Sequence, residues 1–137
     1  MNGSHDLGAL IGRIMLALIF VMSGFSKITG FAGTAGYMAS AGIPHNLVTP
    51  ALILTILVEF GGGLLIVIGF KTRLIALLIF LWLIPVTLIF HFFPYRQGQM
   101  AMINMIMAMK NLSMMGGLLL LASLGAGGYS VDGGGKS

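Results

Sequence analysis

The sequence contains no cysteine, which excludes disulfides, thiolate metal sites and dithiol redox chemistry. Charge is almost as scarce. Asp, Glu, Lys and Arg make up 7% of the 137 residues, against about 25% in an ordinary soluble domain, too few to cover a water-facing surface. Acids are the scarcest: Asp6, Glu59 and Asp132 are the full set of three, against seven Lys and Arg. The formal net charge of +4 therefore reflects missing acids and not a basic patch. With no cluster of Lys and Arg and no interleaved aromatic platform, nucleic-acid binding has no support. A phosphate loop, a nucleophile–base pair and a metal-ligand spacing are also lacking.

What the chain has instead is apolar length. Hydrophobic residues make up 58% of it, and the mean hydropathy is +1.05. Four runs, at about residues 7–27, 47–70, 74–92 and 100–124, are each long enough to span a hydrocarbon core as a helix. The expected fold is an all-α membrane protein: a four-transmembrane-helix bundle forming one domain over residues 1–137, with a short interfacial helix between helices one and two. That short helix is expected over Thr34 to Ala41, with Thr34 capping its start, Gly42 ending it and Pro44 forbidding continuation. Pro85 is expected to kink helix three, because it removes the donor for the Leu81 carbonyl. Phe92, Phe93, Pro94, Tyr95 and Arg96 form an aromatic interfacial stretch, and the glycine-rich tail from Gly125 is expected to be poorly ordered at its end. The first ten residues lack a basic n-region and a small-residue cleavage site, so the first apolar run reads as a retained helix. Lys71, Arg73, Lys136 and Arg13 fall on the side of the termini, and Lys27 and Arg96 on the other. The positive-inside rule then places both termini in the cytoplasm.

Glu59 is the residue around which the rest is arranged. A carboxylate at the centre of a span costs about 2.5–3.5 kcal/mol on insertion scales, so it faces protein and takes a partner. Thr55, Gly62 and Gly63 make its helical face small and polar, which lets a neighbouring helix approach closely. Lys110 is counted at a similar depth on helix four and is the first candidate partner; Arg13, two turns inside helix one, is the second. Arg13, Ala17, Phe20, Gly24 and Lys27 share one stripe of helix one, on which Lys27 can also snorkel to the far interface. Asn104, Ala108, Asn111 and Met115 form a polar-to-small stripe on helix four, and Thr87 and His91 share a face of helix three. Arg13, Glu59, His91, Lys110 and Asn111 are thus the candidate buried polar pocket. The alternative is that these groups form only a folding device pinning helices together.

Two further patterns resolve to packing. The methionines of helix four could bind Cu(I) with His91, but they scatter around the helix as flexible filler does. His45 and His91 could ligate a haem, yet His45 reads as a plain loop residue. No metal is expected.

Arg13, Gly24–Gly33, Tyr37–Met38 with Gly42–Pro44, Glu59–Gly63, Gly69–Arg73, His91, Met109–Leu112 with Gly116–Gly117, and Tyr129–Asp132 follow one another in an order and spacing that resembles the DoxX family, small bacterial inner-membrane members in particular. The resemblance covers nearly the whole chain. It implies a four-helix protein of the bacterial inner membrane associated with membrane redox complexes; the family takes its name from a subunit of an archaeal thiosulfate:quinone oxidoreductase. With no cysteine and no soluble extension, the expectation is a non-catalytic or accessory subunit of a quinone-linked complex, with quinone as the one candidate cofactor. Its partners would be the bilayer, a membrane or soluble oxidoreductase, and a second copy packed through Gly8 and Gly12 or Gly116 and Gly117. The alternative is a small carrier or channel for an anion or lipid, using a positive surplus left by Arg13 and Lys110 against Glu59.

Overall fold

The computed structural model describes residues 3–92 and 98–133, and among these there is no strand. Helix α1 is Gly3–Thr29 and α2 is the short Phe31–Ser40. Helix α3 runs over His45–Ile68, with Leu57–Gly61 widened into a π-turn. Helix α4, Thr72–Thr87, passes directly into a second π-turn, Leu88–Phe92, and α5 is Gly98–Leu124. The segments Gly3–Thr29, His45–Ile68, Thr72–His91 and Ala101–Leu124 are long and apolar enough to cross a membrane. This is the four-helix bundle expected from the apolar runs. Its outer surface carries exposed Leu7, Met15, Leu18, Met22, Leu57, Leu81 and Leu120, an apolar exterior suited to lipid and not to water.

The core sits between the long helices, where Ala17, Phe20, Ile66, Ala76, Ile79, Leu83 and Leu118 interlock. The buried residues of α1 are Arg13, Ala17, Phe20 and Gly24, the stripe seen in its sequence. Glycine decides how closely helices approach. A Cβ on Gly24 would lie 2.6 Å from the Phe60 backbone nitrogen, and one on Gly63 would lie 2.9 Å from Val21. A second, smaller core joins Met38 of α2 to Val48 and Leu52 of α3, with Phe31, Ile43 and Phe90 packed around it.

The short helix is real but begins earlier than expected. Thr34 does not cap it; it lies inside α2 and its hydroxyl donates back to the Gly30 carbonyl. The end is as the sequence indicates. Gly42 has φ +103°, its N–H bonds to the Ala39 carbonyl, and the Ile43 N–H bonds to the Met38 carbonyl, a Schellman closure that needs the left-handed residue glycine supplies. Helix α4 continues as a helix through Pro85 to Thr87, and the irregularity appears just afterwards as the π-turn. Of the aromatic stretch, Phe92 ends the π-turn and Phe93 to Arg96 lie outside the described residues, as does the tail end over 134–137.

The tail over 125–133 is tied down. Gly69, at φ +76°, closes α3, and the Phe70 N–H takes the Leu65 carbonyl. Val131 and Asp132 then donate their N–H groups to the carbonyls of Ile68 and Gly69. Asp132 also receives the Lys71 and Thr72 N–H groups at 2.8 Å each, acting as an N-cap for α4 supplied from the far end of the chain. At the amino end, Asp6 accepts the Gly128 N–H at 2.8 Å.

Candidate functional site

Glu59 lies in the π-turn of α3 and is 7% exposed. Its partner is neither Lys110 nor Arg13. The Lys27 Nζ donates to Glu59 Oε1 at 2.9 Å, the Ser23 hydroxyl donates to the same oxygen at 2.9 Å, and Lys27 also donates to Ser23 Oγ at 2.7 Å. Ser23 and Lys27 stand one turn apart on α1, so both reach the carboxylate from one face. Gly24 between them brings α1 against Phe60, next to Glu59. The Lys27 side chain keeps a quarter of its surface exposed.

This pair lines a cavity of about 420 Å³. Ser23 and Ser26 of α1 and Thr55 of α3 add to its polar wall; Gly33, Thr34, Tyr37 and Met38 of α2, Val86 of α4, and Phe90 and His91 of the following π-turn also line it. The Tyr37 and Phe90 rings stack with centroids 5.7 Å apart, so α2 forms one side of the cavity and rests on the π-turn that follows α4. The volume falls in the range of about 300–1,000 Å³ typical of small-molecule sites. His91 Nδ1 lies 3.3 Å from Asn104 Oδ1, which fixes the ring from α5. Among the described residues no three His, Cys, Asp or Glu side chains converge as a metal site would require.

Of the five residues expected to form one pocket, the structure brings two, Glu59 and His91, to this cavity. Asn111 is buried one layer away, donating to Thr87 Oγ1 at 3.0 Å. Lys110 is exposed on the outer face of α5, with the Met107 sulfur 3.5 Å from its Nζ. Depth alone did not decide its position: a residue next in sequence is rotated by about 100°, and Asn111 takes the inward direction.

Arg13 belongs to the opposite end of the bundle. Fourteen residues of helix separate it from Lys27, about 21 Å at 1.5 Å per residue. It is 2% exposed and spends its fork on backbone: Nε on the Ile66 carbonyl at 2.7 Å, Nη1 on Ala126 at 2.6 Å, and Nη2 on Tyr129 at 2.8 Å and Val67 at 3.2 Å. It thus holds the carboxyl end of α3, where a cation also meets the negative end of the helix dipole, together with the tail. Beside it, between α1 and α5, lies a larger and mostly apolar cavity of about 720 Å³, reaching Gly8, Gly12 and Gly117.

The arrangement that decides kinship is the run from α1 to α4 that builds the cavity. The DoxX family model matches residues 8–92. The chain belongs to the DoxX family. It is 42% identical over 132 residues to inner membrane protein YqjF of Escherichia coli (strain K12), covering 96% of this chain and 95% of the relative. Inner membrane protein YphA of the same organism is 41% identical over 123 residues, or 90% of this chain and 86% of the relative. "Putative oxidoreductase CatD" of Bacillus subtilis (strain 168) is 34% identical over 84 residues, 61% and 60% of the two chains. No solved structure gives a significant match. With its four spans, this DoxX protein is a multi-pass protein of the inner membrane.

Among the residues that sequence reasoning did not place in the site are Lys27, Ser23, Ser26, Tyr37 and Phe90. One signal was available for two of them. Ser23 and Lys27 flank Gly24 at a spacing of one turn, a small polar face at the end of α1 matching the small polar face around Glu59.

Proposed function

We propose that this DoxX protein is an accessory membrane subunit of a redox system, and that it holds a quinone-type ring in the cavity beside α2. The observation that carries the reading is that the Lys27–Glu59 ion pair, His91 and the stacked Tyr37 and Phe90 rings border one small-molecule-sized cavity. The relative whose name includes oxidoreductase points the same way. The residues fit such a group. Tyr37, Phe90 and Val86 offer flat and apolar walls for a ring, and Lys27, Glu59 and His91 offer polar contacts for ring oxygens. When bound, a quinone would supply reversible two-electron, two-proton carrier chemistry. The protein's own residues bind the ring, orient it and, through α2, limit access of water. The termini are proposed to face the cytoplasm, on the side of Lys71 and Arg73.

The anion-carrier alternative needed a surplus of positive charge at Glu59. Arg13 sits at the other end of the bundle on carbonyls and Lys110 on the outer face, so among the described residues the cavity has one cation matched by one anion. Purification in mild detergent tests the choice. A stoichiometric oxidoreductase retained with this chain is the expected result; a lone homo-oligomer that takes up anions in liposomes would replace the proposal with the carrier.

A further inference from the structure

One polar atom of the cavity, Glu59 Oε2, lacks a donor among the described residues, and this selects among ring ligands. Glu59 Oε1 receives both hydrogen bonds, from Lys27 and Ser23, and Oε2 has no partner among the described residues although the side chain is nine-tenths buried. Oε2 is not sealed among protein atoms either, since it is absent from the buried polar atoms left without partners, and Glu59 lines the cavity. A buried carboxylate oxygen that opens on a cavity requires a donor. His91 also lines the cavity and pairs with Asn104 Oδ1 through Nδ1, the roles of its two ring nitrogens following the tautomer. Lys27 spends two protons on Ser23 and Glu59 and keeps a third. Among the described residues the cavity therefore presents one acceptor without a donor, Glu59 Oε2, beside the remaining Lys27 proton and the hydroxyls of Ser26 and Tyr37.

A ring bearing carbonyl oxygens only would set lone pairs against the carboxylate and leave Oε2 unmatched. A ring bearing hydroxyls satisfies it, because the same oxygen donates to Glu59 and can accept from Lys27. The stacked pair of Tyr37 and Phe90 supplies the aromatic wall. We infer that the cavity is built for an aromatic ring carrying hydroxyl donors, of the hydroquinone or phenol class, with one hydroxyl donating to Glu59 Oε2. This deepens the quinone-site reading and rests on it, by assigning the reduced form as the one bound tightly.

The experiment is isothermal titration calorimetry on the full chain in lipid nanodiscs, under anaerobic conditions, with empty nanodiscs as the blank. The probes are benzene-1,4-diol, its oxidised quinone and its dimethyl ether, which keeps the ring and both oxygens but has no donor. The diol should bind at least about tenfold more tightly than either of the others, the discrimination expected of a charge-assisted hydrogen bond. Glu59→Gln should abolish that preference, and the dimethyl ether makes the test independent of whether this variant folds. Equal affinities for diol and quinone would overturn the hydroxyl inference and leave the quinone site standing. Equal affinities for diol and ether would also overturn it. No binding of any probe would remove both readings, and a preference that survives in folded Glu59→Gln would remove Glu59 as the acceptor.

Discussion

Lys27 and Arg13 show that a cation in an apolar helix has two outcomes, set by what its donors meet. Lys27 meets a carboxylate and keeps part of its surface open, whereas Arg13 meets only carbonyls and is sealed. Removing Arg13 would leave the carbonyls of Val67, Ala126 and Tyr129 without these bonds in a low-dielectric setting. Arg13→Met should lower stability by on the order of 3 kcal/mol or more, read as thermal unfolding in detergent. Arg13→Lys should recover little of it, because an ammonium lacks the planar fork that reaches four oxygens. The Lys27–Glu59 pair is intermediate. Its coupling in a cycle of Lys27→Met, Glu59→Gln and the double variant should exceed the ~1 kcal/mol of exposed pairs and fall short of the ~3–5 kcal/mol of sealed ones. The same cycle with Lys110→Met should show no coupling, and Lys110→Met alone should change stability by less than about 0.5 kcal/mol. Strict additivity for Lys27 and a coupling for Lys110 would reverse the pairing described here.

At the scale of elements, the stagger between α1 and α3 explains what was legible and what was not. Glu59 announced itself as the acid of an apolar run, and Thr55, Gly62 and Gly63 marked its protein-facing side; all four are buried. Its partner was hidden because span centres were matched in depth. Helix α1 packs mainly on the part of α3 from Leu57 onward, and the first half of α3 also carries α2. The end of one helix therefore meets the middle of the other. Neither π-turn could be read from composition, since widening of one turn has no residue signature. The clamp on the first part of the tail was not legible either, because its glycines give no sign of the backbone bonds that Asp6, Arg13 and Asp132 make. Two element-level outcomes follow from the glycine environments. Gly24→Ala would push a Cβ into the Phe60 backbone and should cost about 1–3 kcal/mol. Gly12→Ala meets nothing within 4 Å and should be neutral or stabilising by up to about 1 kcal/mol. Thermal melts of the two variants side by side check both.

Over the whole molecule the polar residues divide into two ends with different work. The end bearing the termini holds Arg13, Asp6 and Asp132 in a clamp of backbone carbonyls and N–H groups, which fixes where α3 stops and α4 starts. The other end holds the Lys27–Glu59 pair in a cavity, where an oxygen remains open to a ligand. Asp132→Ala should remove the N-cap of α4 at a cost of about 0.5–2 kcal/mol without touching the cavity. The most direct test of this division is the affinity for benzene-1,4-diol, measured by calorimetry in nanodiscs for the unsubstituted chain, Glu59→Gln and Asp132→Ala, with a melting temperature for each. The account predicts that Asp132→Ala melts lower and binds the diol unchanged, and that Glu59→Gln remains folded and binds the diol about tenfold more weakly. Diol affinity that falls with Asp132→Ala while folded Glu59→Gln binds as well as the unsubstituted chain would contradict it.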